Sequence, residues 1–154
     1  MTWQLVFDLA NGLALVMWLI LIVLPRREAL LTIVLYGGVG LLCLAYAAGV
    51  AGLFTGAFDG RGSGGVDFTT TAGVQAIFAS DGGATIGWIH YLAFDLFAGL
   101  WIARDADHKG FSRWVQAPIL LLTFMAGPAG LLVWLVVREQ RARQAAPRRS
   151  GLRL

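Results

Sequence analysis

The chain has 154 residues and a mass of 16.6 kDa, which is the usual length of one domain. Apolar residues make up 58% of it and charged residues only 14%, with a net charge of +3, whereas soluble domains carry about 25% charged residues. These values exclude a disordered chain, a basic nucleic-acid-binding domain and a disulfide scaffold, and they indicate an all-α membrane protein.

Two apolar spans open the chain. A hydrocarbon core of roughly 30 Å needs about 20 helical residues. The first predicted span covers residues 3–24 and stops at Pro25-Arg26-Arg27-Glu28, because these charges cannot lie in lipid. The second covers residues 29–54 and contains many small residues, which let helices approach closely in a bilayer. They are Gly37, Gly38, Gly40, Ala45, Ala47, Ala48, Gly49 and Gly52.

The middle of the chain is more polar. The Gly-rich stretch from Thr55 to Gly65 predicts a flexible loop. The stretch from Asp67 to Ser80 is too polar to span a membrane, and we predict a short interfacial helix there that begins near Asp67 or Thr69. Two further spans follow, at residues 84–103 and 114–137, and Gly127-Pro128 should kink the last one. The predicted architecture is a four-transmembrane-helix bundle over residues 1–137.

Residues 138–154 form a predicted flexible tail that holds six of the twelve basic residues. Such a segment suits an anionic lipid surface or anchors the topology. Four crossings would put both termini on one side, with seven basic residues against five on the other, which narrowly favours cytoplasmic termini. We also expect no cleavable signal, because the first ten residues lack a basic region.

Ionisable side chains inside a span are costly and therefore mark candidate sites. If spans one and three run parallel, residues at equal distances from their starts lie at equal depths, about 1.5 Å per residue. By this reckoning five polar side chains fall in one layer of the bilayer. They are Asp8, Asn11, Tyr46, His90 and Asp95. The alternative is that each of these groups only cross-links helices, for about 0.6 kcal/mol per hydrogen bond.

Several chemistries are disfavoured. The chain has two histidines, one of them in a loop (His108), and one cysteine (Cys43), so a metal site built from these ligands is not expected. A phosphate-binding loop and a nucleophile elbow are also missing from the sequence. Transport would need a continuous row of polar residues across the whole bilayer. The half of the spans that lies away from these five polar residues does not supply one.

Three segments carry a resemblance to a known family. They are the stretch from Asn11 through Trp18 to Pro25-Arg26, the segment Trp88-x-His90-Tyr91-Leu92-Ala93-Phe94-Asp95-Leu96-Phe97 with Trp101-Ile102-Ala103-Arg104-Asp105, and Leu121 to Leu131 with its Gly127-Pro128. Together they resemble the abscisic-acid-deficient-4-like membrane proteins, whose plant members are linked to neoxanthin formation from violaxanthin. This chain lacks their plastid transit peptide, and we therefore expect a bacterial inner membrane.

The resemblance implies acid–base isomerisation of a carotenoid or related isoprenoid, as in epoxide opening, without a cofactor. Under this hypothesis Asp95 or Asp8 is the acid and His90 the base, in a lipid-side groove. The predicted substrate-binding residues are Asn11, Tyr46, Trp88, Tyr91, Phe94, Trp101 and Arg104. The alternative is a non-enzymatic scaffold or a lipid- or pigment-binding subunit. The expected partners are membrane lipid and a hydrophobic isoprenoid, not nucleic acid, and a homo-oligomer is compatible with the sequence.

Overall fold

The computed structural model describes residues 2–55 and 67–145, and this part of the chain is helical except for short connections. We number its helices α1 to α5. They are α1 (Trp3–Val23), α2 (Glu28–Thr55, π-helical over Ile33–Gly40), α3 (Thr71–Phe78), α4 (Asp81–His108) and α5 (Arg113–Ala145). Four of them, all except α3, are long and apolar enough to span a membrane, as predicted.

Helix ends follow local capping chemistry. The Thr2 hydroxyl accepts a hydrogen bond from the backbone of Leu5 at the start of α1, and the Ser80 hydroxyl accepts one from Gly83 at the start of α4. The short helix α3 exists and is capped by Thr70; its interfacial position stays a prediction. The predicted loop lies outside the described residues except for Thr55, which ends α2. Helix α5 continues to Ala145, and the rest of the predicted tail also lies outside the described residues.

Helix α4 is the centre of the bundle and packs against α1, α2 and α5. Glycines allow the close approach. A side chain at Gly99 would overlap the Trp18 ring of α1, and one at Gly49 would lie 2.8 Å from Ile86 of α4. The Trp3 ring packs closely against Gly82 near the start of both helices, as the Trp18 ring does against Gly99 further along. Helices α1 and α4 therefore run parallel, as the comparison of depths in the sequence assumed. The small residues of the second span therefore have the predicted role at Gly38 and Gly49.

Helix α5 is folded back on itself. Its backbone leaves the helical region at Ala126 (φ −153°, ψ 67°), directly before Gly127-Pro128. A side chain at Gly130 would lie 2.6 Å from the Cα atom of Thr123, and the rings of Phe111 and Trp134 are only 5.0 Å apart. In a straight helix 23 residues cover about 34 Å. The expected kink is thus a hairpin with its apex at residues 126–128.

The hairpin changes the predicted topology. Residues 113–125 form a half-helix about 20 Å long, which is too short to cross a hydrocarbon core of about 30 Å. The apex meets α4 at Asp95, in the middle of that helix. By length and composition α5 is a fourth candidate span, but its fold-back brings both of its ends to the same end of the bundle.

Basic residues gather at one end of the bundle. In the described part of the chain, the ends of the hairpin lie close to Arg26, Arg104, Lys109, Arg113 and Arg138, whereas residues 67–103 contain no lysine or arginine. Under the positive-inside rule, such a concentration of basic residues favours the cytoplasmic side for this end.

A cluster of charged residues holds the two ends of the hairpin. The Arg113 guanidinium donates to the carbonyl oxygens of Ile22 and Leu24 at the end of α1 (2.9 and 2.7 Å). The buried Arg26 donates to the carbonyl of Ala103 (2.7 Å) and pairs with Asp107 (3.1 Å). Burial lowers the pKa of Arg26, and the Asp107 charge opposes that change.

The returning half of the hairpin is held at Asp105. Its carboxylate pairs with Arg138 (2.9 Å) and Lys109 (2.8 Å) and accepts a hydrogen bond from the Trp134 indole (3.1 Å). These contacts fix the last half-helix beside the end of α4.

Candidate functional site

Asp95 lies where the hairpin apex meets α4. Its side chain is buried (8% exposed), and its Oδ2 atom has no hydrogen-bond partner among the described residues. A side chain at Gly127 would overlap the carboxylate, so the apex can approach only because this residue is glycine. The Tyr91 hydroxyl, one turn earlier on α4, is a second neighbour of the carboxylate. The fold therefore holds a buried carboxyl group halfway along α4, and one of its oxygens lacks a hydrogen-bond partner among the described residues.

The groove beside Asp95 is apolar and opens on the outer surface of the bundle. It has a volume of about 530 Å³, and Asp95 is the one ionisable residue among those that line it. The other walls come from α4 and from the returning half of the hairpin. They are Phe94, Phe97, Ala98, Trp101, Gly127, Pro128, Leu131 and Leu135. Such a groove can take a long apolar molecule and present it to a single acidic group.

His90 lies five residues nearer the start of α4 than Asp95, about 140° away around the helix, and faces α2 and α3. Its imidazole contacts the ring of Tyr46 on α2 (centroids 5.1 Å apart) and the ring of Phe94 (4.7 Å). It also lines a second groove of about 300 Å³, between α2, α3 and α4. Because Phe94 touches the imidazole and lines the Asp95 groove, it links the two grooves.

Asp8 and Asn11 lie elsewhere. The Asn11 side chain accepts a hydrogen bond from the Trp88 indole (3.0 Å) and donates one to the carbonyl of Phe7 (2.7 Å), so it cross-links α1 and α4. The exposed Asp8 accepts a hydrogen bond from Gln4 on its own helix (2.8 Å) and lines neither groove described above. The prediction that all five polar residues share one pocket is therefore wrong. Tyr46 and His90 line the second groove, Asp95 lines the first, and Asp8 and Asn11 line neither.

The remaining predicted substrate-binding residues lie in three different places. Phe94 and Trp101 line the Asp95 groove, and the Arg138 guanidinium lies 5.3 Å from the centre of the Trp101 ring. Trp88 and Tyr91 stack on each other (5.5 Å) beside a third cavity near the start of α4. Arg104 lies outside these grooves and makes a long ion pair with the exposed Glu28 (3.9 Å).

Sequence reasoning missed the contribution of the hairpin to the site. Pro128, Leu131 and Leu135 form one wall of the Asp95 groove, although the sequence predicted them in a straight span. Two signals could have revealed this. Gly127-Pro128 stands in the middle of the segment, and arginines stand at both of its ends. In the described part of the chain, no three His, Cys, Asp or Glu residues come together in a way that could hold a metal ion.

Comparison with known proteins agrees with the resemblance noted in the sequence. The family model described as ABA DEFICIENT 4-like matches residues 5–134, which takes in α1, α4 and the hairpin apex. No curated protein and no solved structure matches the chain.

Proposed function

The chain belongs to the ABA DEFICIENT 4-like family, and from that premise we propose that it isomerises a carotenoid or related isoprenoid by acid–base chemistry. In this proposal Asp95 donates a proton and His90 accepts one. The substrate lies along the lipid-facing side of α4, and the aromatic rings of Phe94 and Trp101 hold its apolar chain.

The observation that carries the proposal is the unpartnered oxygen of buried Asp95 in an otherwise apolar groove. A charged carboxylate is expensive in lipid, so the neutral acid, which has a proton to give, is the favoured form there. The groove opens sideways to the bilayer, where an isoprenoid is dissolved. Asp8 fits the role less well, because Gln4 already occupies one of its oxygens and no apolar groove surrounds it.

Opening an epoxide to an allene requires two proton transfers and no net oxidation. Asp95 protonates the epoxide oxygen as its carbon–oxygen bond breaks. His90 removes a proton from a neighbouring carbon, and the electron pair of that bond forms the new double bond. The proton then returns from His90 to Asp95. The two residues are five apart on α4, with their Cα atoms about 9 Å from each other and their side chains about 140° apart around the helix. The substrate therefore has to pass around Phe94, which contacts His90 and lines the Asp95 groove, to meet both groups.

The experiment is expression in a bacterial strain that makes epoxy-carotenoids, followed by chromatography of its pigments. We expect the wild-type chain to convert an epoxide to an isomer of equal mass, and His90→Gln and Asp95→Asn to abolish conversion. Asp8→Asn is the matched control and should retain it. Full conversion by Asp95→Asn at normal protein levels would overturn the assignment of the acid.

A second candidate is the non-enzymatic one, a scaffold or a pigment-binding subunit. It is favoured by the contact of the Asp95 carboxylate with the Gly127 backbone, since a carboxylate near the first turn of the returning half-helix would stabilise that helix end. In this case Asp95→Asn would lower thermal stability without changing the pigments. A purified protein that carries a stoichiometric pigment, unchanged in mass and absorbance, would support the binding role.

A further inference from the structure

A third cavity lies at the opposite end of the bundle from the hairpin ends. It has a volume of about 590 Å³ and opens between the first turns of α1 and α4. Asp81 is the one charged residue among the lining residues, and five lining residues are aromatic: Trp3, Phe7, Phe78, Trp88 and Tyr91. None of the proposed acid–base chemistry uses this cavity.

One wall of the cavity is preorganised. The Trp88 ring stacks between Phe7 (centroids 6.0 Å apart) and Tyr91 (5.5 Å), and its indole N–H is held by Asn11. The hydrogen bond fixes the ring's orientation, so three aromatic rings form a rigid stack across α1 and α4. Rigid aromatic walls bind ligands with little loss of side-chain freedom.

Charge on this side of the protein selects the ligand. Residues 67–90, which lead up to and include the start of α4, contain two carboxylates, Asp67 and Asp81, and no lysine or arginine. No basic side chain lines the cavity. Aromatic rings with a nearby carboxylate and no competing cation attract alkylammonium groups through cation–π and Coulomb interactions.

We propose that this cavity binds an alkylammonium group, such as the choline or ethanolamine head group of a zwitterionic lipid. The position suits a head group, because the cavity lies where α1 and α4 begin and tryptophan rings favour the membrane–water interface. The inference is independent of the isomerase proposal and concerns a separate site.

The test is titration of the purified full chain in an uncharged detergent, with tryptophan fluorescence as the readout. Choline should give a saturable change, and its uncharged carbon analogue 3,3-dimethyl-1-butanol should bind at least about tenfold more weakly. Asp81→Asn should weaken choline binding at least about fivefold. Asp67→Asn removes a carboxylate from the same side but outside the cavity, and it should leave binding unchanged. Equal binding of choline and the alcohol, or equal binding by Asp81→Asn and wild type, would overturn the proposal.

Measurements in lipid nanodiscs can distinguish the two sources of the alkylammonium group, a lipid head group and a free compound. If a lipid head group fills the cavity, phosphatidylcholine discs should block the choline response that phosphatidylglycerol discs allow. If the response is equal in both, the site takes a free alkylammonium compound. No choline response in either disc type or in detergent would refute the site.

Discussion

Substitution of Gly130 by alanine distinguishes a hairpin from a straight fourth helix by the sign of its effect. In the hairpin the new methyl group would lie 2.6 Å from the Cα atom of Thr123 and closer still to its backbone nitrogen and hydroxyl. Backbone atoms cannot move aside cheaply, so we place the cost at about 3 kcal/mol, the upper part of the range for overpacking. In a straight helix, residues 123 and 130 would be about 10 Å apart, and alanine would instead stabilise by about 0.5–1 kcal/mol.

The assay is reversible unfolding in mixed micelles, followed by circular dichroism. Gly12→Ala is the matched control, because nothing lies within 4 Å of the position its methyl group would take. It should leave the free energy of unfolding unchanged or raise it slightly. A Gly130→Ala protein as stable as Gly12→Ala would refute the fold-back of α5.

Three further predictions follow from the helix connections. In a Cys43→Ala background expressed in a bacterial inner membrane, Thr2→Cys should react with an impermeant maleimide from the periplasm, whereas Ser112→Cys and Glu139→Cys, at the two ends of the hairpin, should both react only after the membrane is opened. Reaction of Ser112→Cys and Glu139→Cys from opposite sides would show that α5 crosses as a straight helix. Arg26→Gln should lower the free energy of unfolding by about 2–3 kcal/mol, because it leaves Asp107 without the arginine of the first loop. Chemical unfolding measures this change, and a loss below about 0.5 kcal/mol would show that the ion pair is dispensable. Hydrogen bonds from Thr69 and Thr70 lower the pKa of Asp67. The stabilisation that these bonds give to the start of α3 is therefore complete above the unfolded pKa of about 3.9 and is lost as the pH falls through the lower pKa of the folded protein. Amide exchange at residues 71–74 should speed up in that acid range and not between pH 5 and pH 8.

Most of the helical architecture could be predicted from the sequence, because proline, charges and small residues mark where apolar helices end and how closely they pack. The stop at Pro25 and the close contact at Gly49 are local or pairwise properties that the residue types reveal. The parallel direction of α1 and α4 is expected because successive spans alternate in direction, and the Trp88–Asn11 hydrogen bond joins these two helices.

The hairpin could not be predicted from hydropathy, because two apolar half-helices and one apolar span have the same composition. The difference lies in a single backbone conformation at Ala126 and in the tertiary contacts that hold both ends. The prediction of a shared pocket failed for a related reason. Depth along a helix says nothing about direction around it, and the exposed Asp8 is bonded to Gln4 on its own helix and lines neither groove.

The most direct test of the account is a distance within α5, because the folded-back helix builds the wall that faces Asp95. Spin labels at Trp114 and Val136, both exposed, can be placed in a Cys43→Ala background and measured by pulsed electron paramagnetic resonance in nanodiscs. Adjacent half-helices, about 8–10 Å apart between axes, predict a label separation below about 20 Å. A single population near 33 Å, the length of 22 residues of straight helix, would contradict the hairpin and with it the proposed site.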